Sequence, residues 1–310
     1  MTTAERLGRV PFLLTSLLLL GALALSPTRA EAALTKSQQR CVKVQNTNLR
    51  KVVAQIGKRL SACVKRIGNG QDPRTLSACV SADDQGRIAR ATAKTAADDV
   101  RLCQGSDSHG DPKMPPVFYG GAASTNAAAT AAAMTTIPTV FGATEAVLSP
   151  ASEAEGLGFD CQQAVVSSLQ RCQAAILVAF EKCKKSALQT GASTPAELAS
   201  CLGSDPRGAV SAACIEDFDA LLDSAGQCTA AGITMAFVDS YSGVCPCATP
   251  FDIACLHRCL ARPTTCAVCS AISDTDVLGA NCDTYDDGLA NGSCGSTSLA
   301  FVDPPSSLLR

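Results

Sequence analysis

Between residues 34 and 70 the apolar positions fall at Leu49, Val52, Val53, Ile56, Leu60, Cys63, Val64 and Ile67. This is the three/four spacing of an amphipathic helix. Gly68, Gly70 and Pro73 break the pattern. A short helical turn carrying Cys79 is predicted around 75–80, then a second helix over about 85–102, ending at Cys103 and Gly105. Further on, cysteines carry the period. Cys161, Cys172 and Cys183 stand eleven residues apart. At about 100° per residue, eleven steps overshoot three turns by only about 20°, so the three line one helix face. Cys201, Cys214 and Cys228 follow beyond a Pro/Gly/Asp turn.

The two stretches share one plan. Cys41 and Cys63 are 22 residues apart, as are Cys161 and Cys183. CVSADDQGRIARAT (79–92) aligns without gaps on CLGSDPRGAVSAAC (201–214), setting Asp83 on Asp205 and Gly86 on Gly208. Matching spacing and identities predict an internal duplication. In an antiparallel hairpin the start of the first helix lies beside the end of the second. That pairs Cys41 with Cys103, Cys63 with Cys79, Cys161 with Cys228 and Cys183 with Cys201. Cys172 and Cys214 align with Val52 and Thr92; both are missing from the first copy together, as expected if each is the other's partner.

Residues 106–157 hold no cysteine and are rich in Ala, Thr and Pro. They read as a linker, with short helices possible over 124–136 and 139–148. After it, CPC (245–247), CLHRC (255–259) and CAVC (266–269) crowd the chain. A turn at Pro263 would nest Cys259–Cys266 inside Cys255–Cys269, leaving three pairings open for Cys245, Cys247, Cys282 and Cys294. The expected fold is all-α: two duplicated, disulfide-stapled antiparallel hairpins (33–105 and 158–230), a small cysteine-rich helical region (231–298) and a tail (299–310).

Composition supplies the compartment. Arg6 and Arg9 precede an apolar run, Pro11–Leu25, then Ala30-Glu31-Ala32, the order of a secretory signal peptide over 1–32. The run is short for a membrane span. An exported chain, secreted or periplasmic, with 18 cysteines is expected to be cross-linked throughout. There is no Trp and aromatics make up 4%, so cross-links must support a core of small side chains.

CAVCSAISDTDVLGANCDTYDDGLANGSC, PPVFYGGAASTNAAAT and the KC…CL…DPRG spacing together resemble a group of exported, cysteine-rich bacterial proteins of uncharacterised activity. The resemblance covers most of the chain after residue 32. It implies the hairpin arrangement and export, and no biochemical activity.

Catalytic chemistry has little to build on. The two histidines are His109, in a loop, and His257, between expected disulfide cysteines. No G-x-S-x-G, phosphate loop, HExxH or dinucleotide fingerprint occurs, and no cofactor is implied. The expected function is an exported structural or binding protein; the alternative is a metal-binding (calcium or zinc) or thiol-redox protein. For zinc, CPC and CAVC offer four thiolates, which disulfides would consume. For calcium, Asp283, Asp287 and Asn291 fall at positions one, five and nine of a loop. Tyr285 and Cys294 then occupy three and twelve, where an oxygen ligand and a bidentate Glu belong.

Charge is the remaining signal. Residues 34–103 carry 14 Lys+Arg against 5 Asp+Glu, and residues 158–310 carry 8 against 16. Docking of the two halves on each other explains this asymmetry. So does a basic face for an anionic envelope polymer, built from Arg50, Lys51, Lys58, Arg59, Arg87, Arg90 and Lys94.

Overall fold

Thr35 starts the first helix with a reciprocal cap: its hydroxyl accepts from Gln38 N–H (3.2 Å) while its own N–H donates to Gln38 Oε1 (3.0 Å). Helix α1 then runs Lys36–Gly68. In the computed structural model, residues 33–142, 156–217, 220, 253–285 and 294 are described. The expected signal segment, Cys228, Cys245 and Cys247 lie outside them. Val42, Leu49, Val52, Ile56, Leu60 and Val64 of α1 are almost fully buried, so the apolar stripe faces the core along the whole helix.

The chain reverses through α2 (Leu76–Ala82), capped by Thr75 on Ala78 N–H, and returns as α3 (Arg87–Cys103). Between them Asp83 takes the left-handed conformation, and its carboxylate accepts from Arg87 and Ala89 N–H, 2.9 Å each. These are donors that an unaided helix start leaves unpaired. Cys41–Cys103 and Cys63–Cys79 lock the two ends, with Cα separations of 4.9 and 5.9 Å.

Residues 156–217 take a similar course. α6 (Gly156–Gln189) leads through α7 (Pro195–Ala199) and a 3-10 turn (Pro206–Gly208) to α8 (Ala209–Ser211), which widens into a π turn (Ala212–Glu216). Asp205 accepts from Val210 N–H (2.7 Å) and Ser211 N–H (3.1 Å), repeating the part played by Asp83. Cys183–Cys201 and Cys172–Cys214 hold this arm at Cα separations of 5.5 and 4.6 Å. Cys161 is disulfide-bonded; its expected partner, Cys228, lies outside the described residues.

The segment read as a linker with short helices over 124–136 and 139–148 does carry two helices, and they pack into the core. Residues 121–141 form α4 (Gly121–Met134) and α5 (Thr136–Phe141), and Phe118, Thr125, Ala129, Ala132, Val140 and Phe141 are buried. α4 packs between α1 and α9 (Ile253–Asp276). Its Ala and Thr side chains, which made the segment look like a spacer, let backbones approach closely. Gly120 N–H donates to Thr275 O (3.0 Å), and a Cβ at Gly120 would stand 2.7 Å from Asp274 O.

The C-terminal pairing departs from the expected one. α9 continues through Pro263 instead of turning there. Seven residues of helix separate Cys259 from Cys266, about 10 Å at 1.5 Å per residue, and fourteen separate Cys255 from Cys269, about 21 Å. A disulfide spans roughly 4.4–6.8 Å between Cα atoms, so neither expected pair can close. Instead Cys269 bonds Cys282 and Cys266 bonds Cys294, both at 5.6 Å.

The described residues are helical without a strand and belong to one compact unit. Six disulfides among them are consistent with an extracellular or periplasmic protein. No described helix is long and apolar enough to cross a membrane.

Candidate functional site: a cationic groove between α1 and α3

Helix α3 is an unusual partner for α1. Its buried positions are Thr95, Asp98, Asp99 and Cys103, and its middle is mostly Ala and Thr. It is held by the Cys41–Cys103 bond and by hydrogen bonds. Asn48 Nδ2 donates to Asp98 (3.4 Å), Tyr119 Oη to Asp99 (2.9 Å) and Asn126 Nδ2 to Thr92 O (3.2 Å). Small side chains leave the seam between the N-terminal half of α3 and the middle of α1 unfilled. A groove of about 290 Å³ results, lined by Asn48, Lys51 and Gln55 from α1 and Arg87, Arg90, Ala91 and Lys94 from α3.

Helical spacing supplies the array. Arg87, Arg90 and Lys94 are one turn apart along one face of α3, and Lys51 and Gln55 one turn apart on α1. The residue before α3 matters as well. Gly86 has φ +61°, a conformation side chains seldom adopt, and a Cβ there would sit 3.3 Å from Arg90 Nη1.

Five arginines outside the groove are paired with carboxylates, whereas Lys36, Arg40, Lys43, Lys58 and Lys65 have no acidic partner among the described residues. Arg59, Arg66 and Arg74 converge on Asp84 at 2.7, 3.2 and 3.0 Å, and Arg66 and Arg74 also reach Asp72. Arg59 further donates to Cys79 O (2.8 Å), tying the α2 turn to α1. The hydrogen-bonded Arg74 holds the Asp72 carboxyl down at about 2 against its burial, and Arg66 adds to this. Arg74 and then Arg59 hold Asp84 far below the carboxylate range. Arg50 reaches across to Glu181 of α6 (3.0 Å), a direct contact between the basic and acidic halves.

Of the seven cations named from the sequence, four therefore meet in the groove: Lys51, Arg87, Arg90 and Lys94. Arg50 and Arg59 are engaged elsewhere, and Lys58 is exposed outside the lining. Among the described residues Lys51, Arg87 and Arg90 have no acidic partner. Lys94 pairs with Asp98 (3.1 Å). Burial works to raise the Asp98 carboxyl, but hydrogen bonds from Arg101, Lys94 and Asn48 outweigh it and keep it low. Asp98 is thus a shared counter-ion, and the groove retains a net positive charge. Asn48 and Gln55 escape a reading of charge alone; their position three before and four after Lys51 is the signal that places them beside it.

The calcium and zinc candidates fall only partly among the described residues. Asp283 is buried, and its carboxylate accepts from Cys294 N–H (2.9 Å), a turn-closing bond. Asp287 and Asn291 lie outside the described residues. Cys266 and Cys269 are in disulfides, and no metal-holding group of three His, Cys, Asp or Glu occurs among the described residues.

One polar cluster has no counterpart in the sequence reading. Lys184 of α6 is buried and donates to Asp276 of α9 (2.7 Å), Val42 O (2.9 Å) and Asn46 Oδ1 of α1. The sequence does carry a trace of it. Lys184 interrupts the apolar stripe of α6 between Phe180 and Leu188, as Asn46 does between Val42 and Leu49 on α1.

The chain matches no protein-family model, no curated protein and no solved structure.

Proposed function

We propose that the chain is an exported, non-enzymatic binding protein, carried out of the cytoplasm by the segment through Ala32 and held together by disulfides. Its two hairpins are copies of one module, and the first binds an anion in the groove between α1 and α3. The resemblance of the C-terminal segment to exported cysteine-rich bacterial proteins points to the same compartment.

One observation carries the reading. Five of the arm's other arginines, Arg50, Arg59, Arg66, Arg74 and Arg101, are tied to carboxylates, whereas Lys51, Arg87 and Arg90 face a common space without one. Like charges held together repel, and a bound anion relieves that repulsion.

The test is elution of the full-length oxidised protein from an anionic, heparin-type column as salt rises, beside a variant combining Lys51→Gln, Arg87→Gln and Arg90→Gln. Retention by the groove predicts much earlier elution of the variant, since screening reaches about 10 Å at 0.1 M salt. Co-elution of the two proteins removes the groove as the binding site.

A further inference from the structure

We infer that the groove takes a compact, highly charged phosphate anion, a di- or triphosphate group. This rests on the anion-binding reading above and specifies its ligand.

Charge distribution comes first. Most of the arginines outside the groove are drawn onto carboxylates. Past Gln55, α1 carries Arg59 and Arg66, both drawn down onto Asp84, with Arg74 completing that cluster. At the other end of α3, Arg101 lies 2.8 Å from Asp98. On α1, Lys58 and Lys65 are exposed without an acidic partner among the described residues, but in the groove Lys51 is joined by Arg87, Arg90 and Lys94, which span about two turns of α3, roughly 10 Å at 1.5 Å per residue.

Size and chemistry come second. At about 290 Å³ the space is at the lower limit of small-molecule pockets, about 300–1,000 Å³. Two guanidinium groups and two ammonium groups line it, offset only by the Asp98 carboxylate that Lys94 shares with Arg101. A ligand balancing that charge in so small a volume needs a high charge density. Oligophosphates provide this, whereas a sugar acid of the same bulk brings one or two charges. Guanidinium forks match phosphate oxygens two at a time, and lysines add point charges. Gln55, on the same wall as Lys51, offers an amide to the uncharged part of a phosphate ester.

The second hairpin supplies a contrast. In the register that sets Cys79 on Cys201 and Cys41 on Cys161, Arg87, Arg90 and Lys94 correspond to Ala209, Ala212 and Glu216. Lys51 corresponds to Arg171, which is engaged by Asp217 at 3.1 Å. Where the first arm has Val52 and Thr92, the second has the Cys172–Cys214 bond, with Cα atoms 4.6 Å apart. The equivalent seam is cross-linked and its one remaining cation is paired, which confines the site to the first arm.

Calorimetric titration of the full-length oxidised protein at low salt tests this, with tripolyphosphate, adenosine triphosphate and a long polyuronate as probes. One tripolyphosphate per chain is expected, weakened about tenfold by Arg87→Gln or Arg90→Gln and unchanged by Lys58→Gln. These residues are exposed, so the variants keep the fold. Tighter binding of adenosine triphosphate, lost in Gln55→Ala, assigns the site to a phosphate ester; equal binding assigns it to the inorganic anion. If the polyuronate binds and tripolyphosphate does not, or if the arginine variants bind tripolyphosphate as the parent does, the oligophosphate assignment falls. The polyuronate result alone would leave the anion-binding reading standing. Silence from all three probes overturns both.

Discussion

Lys184 Nζ lies 2.7 Å from Asp276 Oδ1, with the two side chains 1% and 0% exposed. The pair joins α6 to α9, and the further bonds from Lys184 to Val42 O and Asn46 Oδ1 bring in α1. Three helices distant in sequence therefore meet on one ammonium group. Burial pushes Lys184 down and Asp276 up, and each restrains the shift of the other. Asp276 Oδ2 has no hydrogen-bond partner, so the pair is not an inexpensive source of stability. Its geometry fixes how the helices meet.

Removing one member strands the other. Lys184→Met is expected to cost about 3–5 kcal/mol, whereas Lys184→Met combined with Asp276→Leu should recover most of the loss, because a buried ion pair is often replaceable by apolar side chains. Denaturant unfolding followed by circular dichroism measures both. Equal destabilisation of the single and double variants would show that the pair itself stabilises the protein.

The arginine cluster on α1 and α2 predicts an acid response. Asp72 has a folded-state value of about 2 against an ordinary 3.8, so the unfolded chain binds more protons between those values. The stabilisation is present above about pH 4 and is lost as pH falls toward 2. Carboxyl titration by NMR should place Asp72 near 2, and amide exchange in α2 should rise over that window. A carboxyl titrating near 3.8 would mean that the arginines do not hold Asp72 in solution.

The proposed duplication makes a chemical prediction. If Val52 and Thr92 occupy the positions of Cys172 and Cys214, the double variant Val52→Cys with Thr92→Cys should form a new disulfide on oxidation and raise the melting temperature. A cross-link typically contributes about 2–4 kcal/mol. Mass spectrometry of the unreduced variant reads the outcome; two free thiols would argue against the shared register.

Peptide mapping of the unreduced native protein should recover Cys269 joined to Cys282 and Cys266 to Cys294. Recovery of Cys259 with Cys266 would require α9 to break at Pro263, contrary to the continuous helix.

Local regularities in the sequence determined a good deal: the helical class, the extents of α1 and α3 to within two residues, and the four disulfides nested in the hairpins. Each depends on residues whose spacing is governed by helical period and chain reversal. Other features needed the tertiary structure. Ala and Thr along 121–141 are equally suited to a spacer or a tightly packed helix, and only the surfaces of α1 and α9 make them core. Pro263 signals a break, yet α9 passes through it, which placed the partners of Cys266 and Cys269 downstream. Lys184 reads as one more surface cation until α9 brings Asp276 to it. The basic arm shows the same division. Its 14 cations were countable from the sequence, but which of them keep their charge uncompensated depends on where Asp84, Asp98 and Glu181 come to rest. Coulombic pairing is set by distance in space, and the fold sets those distances.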